Sequence, residues 1–215
     1  EKETFERLGI GVARFEPVDG PGDVSAAIER VGLPAVVKTR RGGYDGKGQQ
    51  VVRSDDDARR VWDDLGGVPL VAEALVPFAR ELSVLGARGV DGTVLCYPLV
   101  ENEHEHGILR MSYAPARRLT PDVQAAGEAI MARVLQELDY VGVLAIELFD
   151  SEGTLLANEM APRVHNSGHW TIEGAQTSQF EQHLRAVLGW PLGGAGARGV
   201  SAMVNCIGRL PDPAA

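Results

Sequence analysis

A chain of 215 residues, 44% hydrophobic and 24% charged, has the make-up of an ordinary globular protein with room for one large or two small domains. Its formal net charge of −9 argues against a nucleic-acid partner, which asks for a basic face, while leaving a small anionic ligand open. No apolar run approaches a membrane span. The two cysteines, Cys96 and Cys206, lie far apart in apolar runs and are expected as buried thiols of a reducing, cytoplasmic compartment. The chain opens on Glu1 rather than Met and in mid-pattern, as expected of a piece of a longer protein.

The first predicted elements are short helices over 1–9 and 25–31. The apolar run Pro34 to Val37 then predicts a buried strand ending on Lys38, and a glycine-rich loop follows, Gly42–Gly43–Tyr44–Asp45–Gly46–Lys47–Gly48. Its glycines let backbone approach a ligand, its free N–H groups suit an anion, and Lys38, Arg40, Arg41 and Lys47 add positive charge. Phosphate fits this chemistry; a solvated basic hairpin tip is the alternative. The spacing matches neither a Walker A loop nor G-x-G-x-x-G. Gln49 to Arg53 returns as the second arm of a hairpin. Ser54 caps a helix whose first turn, Asp55 to Asp57, reads as capping rather than metal binding.

Leu70 to Val76 predicts a strand and a hinge between two halves. Glu81 to Arg88 and Thr93 to Val100 flank the turn Asp91–Gly92 as a hairpin. Glu101 to His106 reads as a polar loop in which His104 and His106 lack a third metal ligand. Ile108 to Tyr113 predicts a strand. A helix over 121–138 starts at Thr120–Pro121, with Val123, Ile130, Val134 and Leu138 as its buried stripe. Gly142 to Phe149 and Thr154 to Met160 form a hairpin around Ser151–Gly153. Ser178 opens a last helix with Phe180, Leu184, Val187 and Leu188 inward. Frequent hairpins among helices give an α+β class with largely antiparallel sheets.

On the 142–160 hairpin, pairing Glu147 opposite Ala157 makes Glu147 and Glu159 diagonal neighbours on one face, roughly 7–8 Å apart. Two carboxylates so placed repel unless a hard divalent ion lies between them, and Asn158 offers a neutral oxygen beside them. A one-residue slip would put them on opposite faces; two solvated surface charges are the alternative. The loop Pro162 to His169 follows at once, with Arg163, a planar fork suited to carboxylate, bicarbonate or phosphate, and the donors His165, Asn166 and Ser167. Glu73 to Val76 offers edge hydrogen bonds to a purine and Glu81 suits ribose hydroxyls, although each glutamate is equally an ordinary strand residue.

The glycine loop 42–49, the segment Asn158 to His169 and the run Gln179 to Ala186 together resemble the ATP-grasp ligases, most nearly the members that carboxylate 5-aminoimidazole ribonucleotide in purine biosynthesis. The resemblance runs over nearly the whole chain. It implies the ATP-grasp fold, two α+β subdomains gripping ATP between them, here expected over 1–75 and 76–192, with 193–215 a linker and the start of a further subdomain. It implies ATP, Mg2+, bicarbonate and 5-aminoimidazole ribonucleotide as ligands and, at full length, a homodimer.

By the same resemblance, Lys38 contacts ATP phosphates and Gly43, Tyr44, Asp45, Gly46, Lys47, Gly48 and Gln49 form a flexible lid. Glu73, Ala74, Leu75 and Val76 hold adenine, Glu81 holds ribose, and His104 lies near the nucleotide. Glu147, Glu159 and Asn158 bind magnesium, with Asn158 and Glu159 also on the nucleotide. Tyr44, Asp45 and Lys47 face the ribonucleotide, and Asp45 orients its amine or takes its proton. Arg163 holds bicarbonate or carboxyphosphate, and His165, Asn166 and Ser167 line the second-substrate side. The implied chemistry has bicarbonate attack the γ-phosphate to give carboxyphosphate and ADP, with capture by the ribonucleotide amine at a site built from Arg163, Asp45 and Tyr44. Ligases of this kind carry further domains before and after the part matched here. Another ATP-grasp carboxylase, or a nucleotide-binding module without turnover, are the competing expectations.

Overall fold

The computed structural model describes residues 1–43 and 46–208, so the roles expected of Tyr44 and Asp45 lie outside the described residues. The chain divides into two compact units. One comprises 12–77 with 106–108; the other comprises 1–11, 78–105 and 109 onward. The division differs from 1–75, 76–192 and 193–215 at both ends of the chain. The opening helix α1 (Lys2–Arg7), with Phe5 fully buried, belongs to the larger unit. The stretch after 193 hydrogen-bonds into that same unit, as described below.

In the smaller unit, β1 (Phe15–Val18), α2 (Val24–Val31), β2 (Ala35–Thr39), β3 (Gln49–Val52), α3 (Asp55–Asp64) and β4 (Leu70–Ala74) follow one another. The strands form an antiparallel sheet in the order β1-β4-β2-β3. Side chains alternate across a strand, so Ala35, Val37, Leu70 and Ala72 turn to one face and join Ile28, Val31, Ala58 and Val61 of the two helices in a core. Lys38 and Glu73 necessarily turn to the other face. The aspartate run caps α3 as expected: Ser54 Oγ accepts the Asp57 N–H at 3.2 Å, and the Asp57 carboxylate accepts the Ser54 N–H at 3.1 Å.

In the larger unit come β5 (Arg80–Arg88), β6 (Val94–Cys96), β7 (Val100–Glu105), β8 (Ile108–Ala114), α4 (Pro121–Glu137), β9 (Gly142–Ser151), β10 (Thr154–Ala161), α5 (Thr171–Gly174), α6 (Gln179–Val187) and β11 (Ser201–Val204). Their sheet runs β10-β9-β5-β7-β8-β11, with β6 also on β5. β11 pairs with β8 from Ser201 opposite Ala114 to Val204 opposite Met111, which ties 201–204 to this unit. No helix among the described residues is long and apolar enough to cross a membrane.

Four expectations are corrected here. The polar stretch from Glu101 is strand β7, not a loop; Glu101 and Asn102 are buried because Arg117 and the Ser83–Ser112 hydroxyls partner them, so no apolar alternation marks the strand. The buried stripe of α4 is Val123, Gly127, Met131, Val134 and Leu135, with Leu138 exposed beyond the helix end. In α6 the inward residues are Gln179, Gln182 and Ala186, and Phe180, Leu184, Val187 and Leu188 face outward. Finally, Cys96 is half-buried and Cys206 exposed, so only the first is a protected thiol.

Candidate functional site

The carboxylate pair is built by an irregularity in the β9–β10 ladder. From the turn, Thr154 pairs with Ser151 and the register holds to Ala157 opposite Leu148; it then shifts, and Glu159 lies opposite Glu147. The diagonal placement with Glu147 facing Ala157 is therefore corrected: the two glutamates are direct cross-strand partners. Asn158 is the extra residue of a β-bulge. An unbroken register would have set Asn158 opposite Glu147 and sent Glu159 to the other face.

Like charges directly opposite each other repel, and a cation between them removes the repulsion. His165 joins them: its Nε2 lies 3.7 Å from Glu147 Oε1, and one potential donor atom from each of Glu147, Glu159 and His165 falls within 4.8 Å of the others. Two convergent carboxylates beside a polar loop are a donor set that fits a hard divalent cation. Neither His104 nor His106 belongs to this cluster, the one of its kind among the described residues.

His104 instead pairs with Glu81, Nδ1 to Oε2 at 2.5 Å, on the face of the sheet that also carries Ser83 and Glu147. Burial works against its cation, but the Glu81 hydrogen bond and the charges of Glu81, Glu147 and Glu159 outweigh burial and raise its pKa. His165 moves the other way. Burial first, then the charges of Arg163, His104 and His169, bring it down to about 4, so its imidazole is neutral at neutral pH.

The loop after β10 is held by groups that the sequence reading did not single out. Gln179 grips His165 from both sides, its Oε1 accepting the His165 N–H at 2.9 Å and its Nε2 donating to the His165 carbonyl at 2.7 Å. Gly168 lets that grip close: a Cβ there would stand 2.2 Å from Leu85 Cδ2 and 2.5 Å from Gln179 Oε1. Behind His165, Ser167 Oγ lies 2.8 Å from Ser83 Oγ, which accepts from Asn102 Nδ2 at 3.0 Å; Asn102 Oδ1 accepts from Ser112 Oγ at 2.8 Å. Ser83, Asn102 and Ser112 come from β5, β7 and β8, and only their pairing in the sheet reveals them. Arg163 is exposed and donates to the Val164 carbonyl at 2.9 Å. Asn166 Oδ1 is a buried acceptor with no hydrogen-bond partner among the described residues.

The smaller unit carries the other predicted residues. Lys38 Nζ lies 3.1 Å from the buried Glu73 carboxylate. The Ala74 and Leu75 N–H groups donate to the Arg14 and Pro34 carbonyls at 2.8 and 3.1 Å. Arg40 is engaged by Asp19 and the Leu70 carbonyl. In the glycine loop, Gly48 O accepts the Thr39 N–H at 2.8 Å just ahead of Gln49, where β3 begins, and Lys47 lies between the left-handed Gly46 and Gly48. At Gly46 φ is +72° and a Cβ would meet His106 O at 2.7 Å, so both conformation and space demand glycine.

On the reverse face of the larger sheet, a cleft of about 710 Å³ is lined by Arg80, Glu101, Arg117, Thr120 and Asp150 among others. Four of its charged residues form one network: Arg80 meets Asp150 at 2.8 Å and Glu101 at 3.5 Å, and Arg117 meets Glu101 and, beyond the lining, Glu103. This network braces the sheet.

The family model of the ATP-grasp domain matches residues 3–180. The N5-carboxyaminoimidazole ribonucleotide synthase of Pseudomonas aeruginosa is 52% identical over 214 residues, which cover 100% of this chain and 59% of that protein. The crystal structure of N5-carboxyaminoimidazole ribonucleotide synthetase from Thermus thermophilus superposes with a TM-score of 0.92 at 55% identity, over 99% of this chain and 57% of that one. The Aspergillus clavatus synthase in complex with ADP and 5-aminoimidazole ribonucleotide has a TM-score of 0.89 at 33% identity, over 97% and 56%. The chain thus spans somewhat under three fifths of the length of these relatives.

Proposed function

Because this chain belongs to the ATP-grasp family, we propose that it is the ATP-binding and carboxylating part of a ligase that converts 5-aminoimidazole ribonucleotide, bicarbonate and ATP into N5-carboxyaminoimidazole ribonucleotide, ADP and phosphate. The observation that carries this reading is the bulge-built pair Glu147–Glu159, followed within six residues by Arg163 and His165. Phosphoryl transfer calls for positioning and charge neutralisation more than for a protein nucleophile.

Glu147 and Glu159, with Asn158, are assigned a magnesium ion, whose chemistry is to offset the phosphate charge. Lys38 is assigned the ATP phosphates, with Gly43, Gly46, Lys47, Gly48 and Gln49 as the lid. Glu73 to Val76 are assigned adenine, Glu81 ribose, and His104 the nucleotide's vicinity. In the reading, Glu73 holds Lys38 in place as well, because a buried carboxylate 3.1 Å away fixes that ammonium. Arg163 is assigned bicarbonate or carboxyphosphate, because its exposed fork can turn to a planar anion. The unsatisfied Asn166 Oδ1 suits an N–H donor such as the ribonucleotide amine, and Tyr44, Asp45 and Lys47 are assigned the same substrate. A reactive carboxyphosphate must be kept from water, which is the work assigned to the lid. A cytoplasmic homodimer at full length completes the proposal.

The test is ADP release from Mg-ATP and bicarbonate, with and without 5-aminoimidazole ribonucleotide, in the full-length protein. Ribonucleotide-dependent turnover is expected. Release that ignores the ribonucleotide would move the protein to another ATP-grasp carboxylase, and ATP binding without turnover to a nucleotide-binding module.

A further inference from the structure

A backbone N–H can only donate, and one such group reveals which nitrogen of His165 is bare. The Ser167 N–H points at His165 Nδ1 over 3.3 Å, so Nδ1 presents a lone pair and carries no proton. Ser167 Oγ lies 2.8 Å from the same nitrogen and must therefore donate to it. Having given its proton, Ser167 Oγ accepts from Ser83 Oγ at 2.8 Å. Ser83 in turn accepts from Asn102 Nδ2 at 3.0 Å, which leaves Asn102 Oδ1 to accept from Ser112 at 2.8 Å. Each hydroxyl gives one proton, and the whole row runs one way. Ser83, Ser112 and Ser167 are fully buried and Asn102 is 4% exposed, so water offers no competing partners.

We infer that the row Ser112–Asn102–Ser83–Ser167 locks His165 as the Nε2–H tautomer, and that His165 serves as a hydrogen-bond donor to an anionic oxygen at the Glu147–Glu159 pair rather than as a third metal ligand. A protonated Nε2 has no lone pair for a cation. The Gln179 grip on the His165 backbone holds the ring's base in place, and Nε2 faces Glu147 Oε1 at 3.7 Å. Ser167, Ser83 and Asn102 are positioning residues acting through His165. The identity of the anion, a phosphoryl or carboxylate oxygen of the substrates, rests on the proposed function; the tautomer does not.

Long-range 1H–15N spectra of the 15N-histidine-labelled chain, free of metal, read the tautomer directly. His165 is expected with Nε2 protonated and Nδ1 bare, and Ser167→Ala is expected to shift it toward a mixture of tautomers. A protonated Nδ1 in the parent protein, or a Ser167→Ala spectrum unchanged at His165, overturns the inference. With Mg2+ and ATP added, the Nε2 proton is expected to stay; its loss on binding makes His165 a ligand and overturns the inference.

Mn2+ titration in the presence of ATP, followed by electron paramagnetic resonance, is the second arm. Gln places an amide N–H near the position of Nε2–H, so His165→Gln should bind Mn2+ nearly as the parent does. His165→Ala should lose on the order of tenfold, as for removal of a partner behind a metal ligand. Equal losses in Gln and Ala would overturn the donor role. If the parent binds no metal at all, the magnesium reading fails while the spectra of the metal-free chain still decide the tautomer.

Discussion

Glu159 stands directly opposite Glu147, and Asn158 is the reason. From the turn, four pairs of β9 and β10 keep one register, Thr154 opposite Ser151 to Ala157 opposite Leu148, and that register continued would place Asn158 opposite Glu147. One inserted residue turns Glu159 back to the face of Glu147, Ser83 and His104. A cross-strand pair of like charges costs stability. A fold that builds one through a bulge has given up some stability at a place where a ligand can return it.

Replacing either glutamate by glutamine should therefore act in opposite directions on two measurements. In metal-free protein the urea midpoint is expected to rise at pH 9, equivalent to about 0.2–1 kcal/mol, as the repulsion disappears, and by less at pH 6, where either carboxylate also favours the His104 cation. Mg-ATP binding, followed by calorimetry, is expected to weaken roughly tenfold or more, since outer partners of metal sites already cost that much. A variant that binds Mg-ATP as the parent does would remove Glu147 and Glu159 from the metal site.

Much of this was legible in the sequence, and what was not has a physical reason. The apolar runs of β2 and β9, the Ser54 and Thr120 caps and the glycine turns carry their structure locally, so they could be read. The segment Asn158 to His169 is contiguous, so its polar residues could be grouped by eye. The bulge could not, because register is a property of two strands. Strand β7 was hidden because Glu101 and Asn102 are buried on its two faces, the first by Arg117 from the connection after β8 and the second by the Ser83 and Ser112 hydroxyls. The orientation of α6 was hidden because its inward face is made of glutamines. Ser112, Asn102 and Ser83 are spread over three strands, and each alone looks ordinary; Ser167 reads in the sequence as a second-substrate residue, not as a partner of His165.

The inverted α6 gives a second prediction. Gln179 is fully buried and holds both backbone groups of His165. Gln179→Leu leaves the His165 N–H without its partner, while the His165 carbonyl keeps the Gly168 N–H at 3.0 Å, and should cost about 1–3 kcal/mol, the cost of one buried group left unsatisfied. Leu184→Gln and Leu188→Gln change side chains that are 56% and 57% exposed and should stay within about 0.5 kcal/mol of the parent. Urea midpoints measure all three. The reverse order would mean that the leucines, not the glutamines, face the sheet.

The thiols offer a third. Burial first, with the charge of Glu128 adding to it, pushes Cys96 up to about 12 from an ordinary 9.0, whereas Cys206 is exposed. At pH 8 a maleimide or disulfide reagent should modify Cys206 quickly and Cys96 slowly, both becoming fast in denaturant. For an acid whose folded pKa is raised, stability is untouched below the unfolded value and falls as pH rises above it. Cys96→Ser should therefore flatten the loss of stability above about pH 9. Equal labelling rates for the two thiols in native protein would show that Cys96 is not shielded.

His104 supplies the pH dependence nearest the site. Its folded pKa is raised, so the bound proton stabilises the fold. For a base shifted this way the contribution is fully present below the unfolded value, about 6.5. It is lost as pH rises through the folded value. In metal-free protein, the parent should exceed His104→Gln in urea midpoint by more at pH 6 than at pH 9. Glu81→Gln should remove most of that difference, because Glu81 supplies both the 2.5 Å hydrogen bond and the nearest charge. Glu147→Gln should remove a smaller part, since Glu147 acts on His104 by charge alone. A parent-to-variant gap that grows with pH would mean that burial, not Glu81, governs the ring and that His104 is neutral in the folded protein.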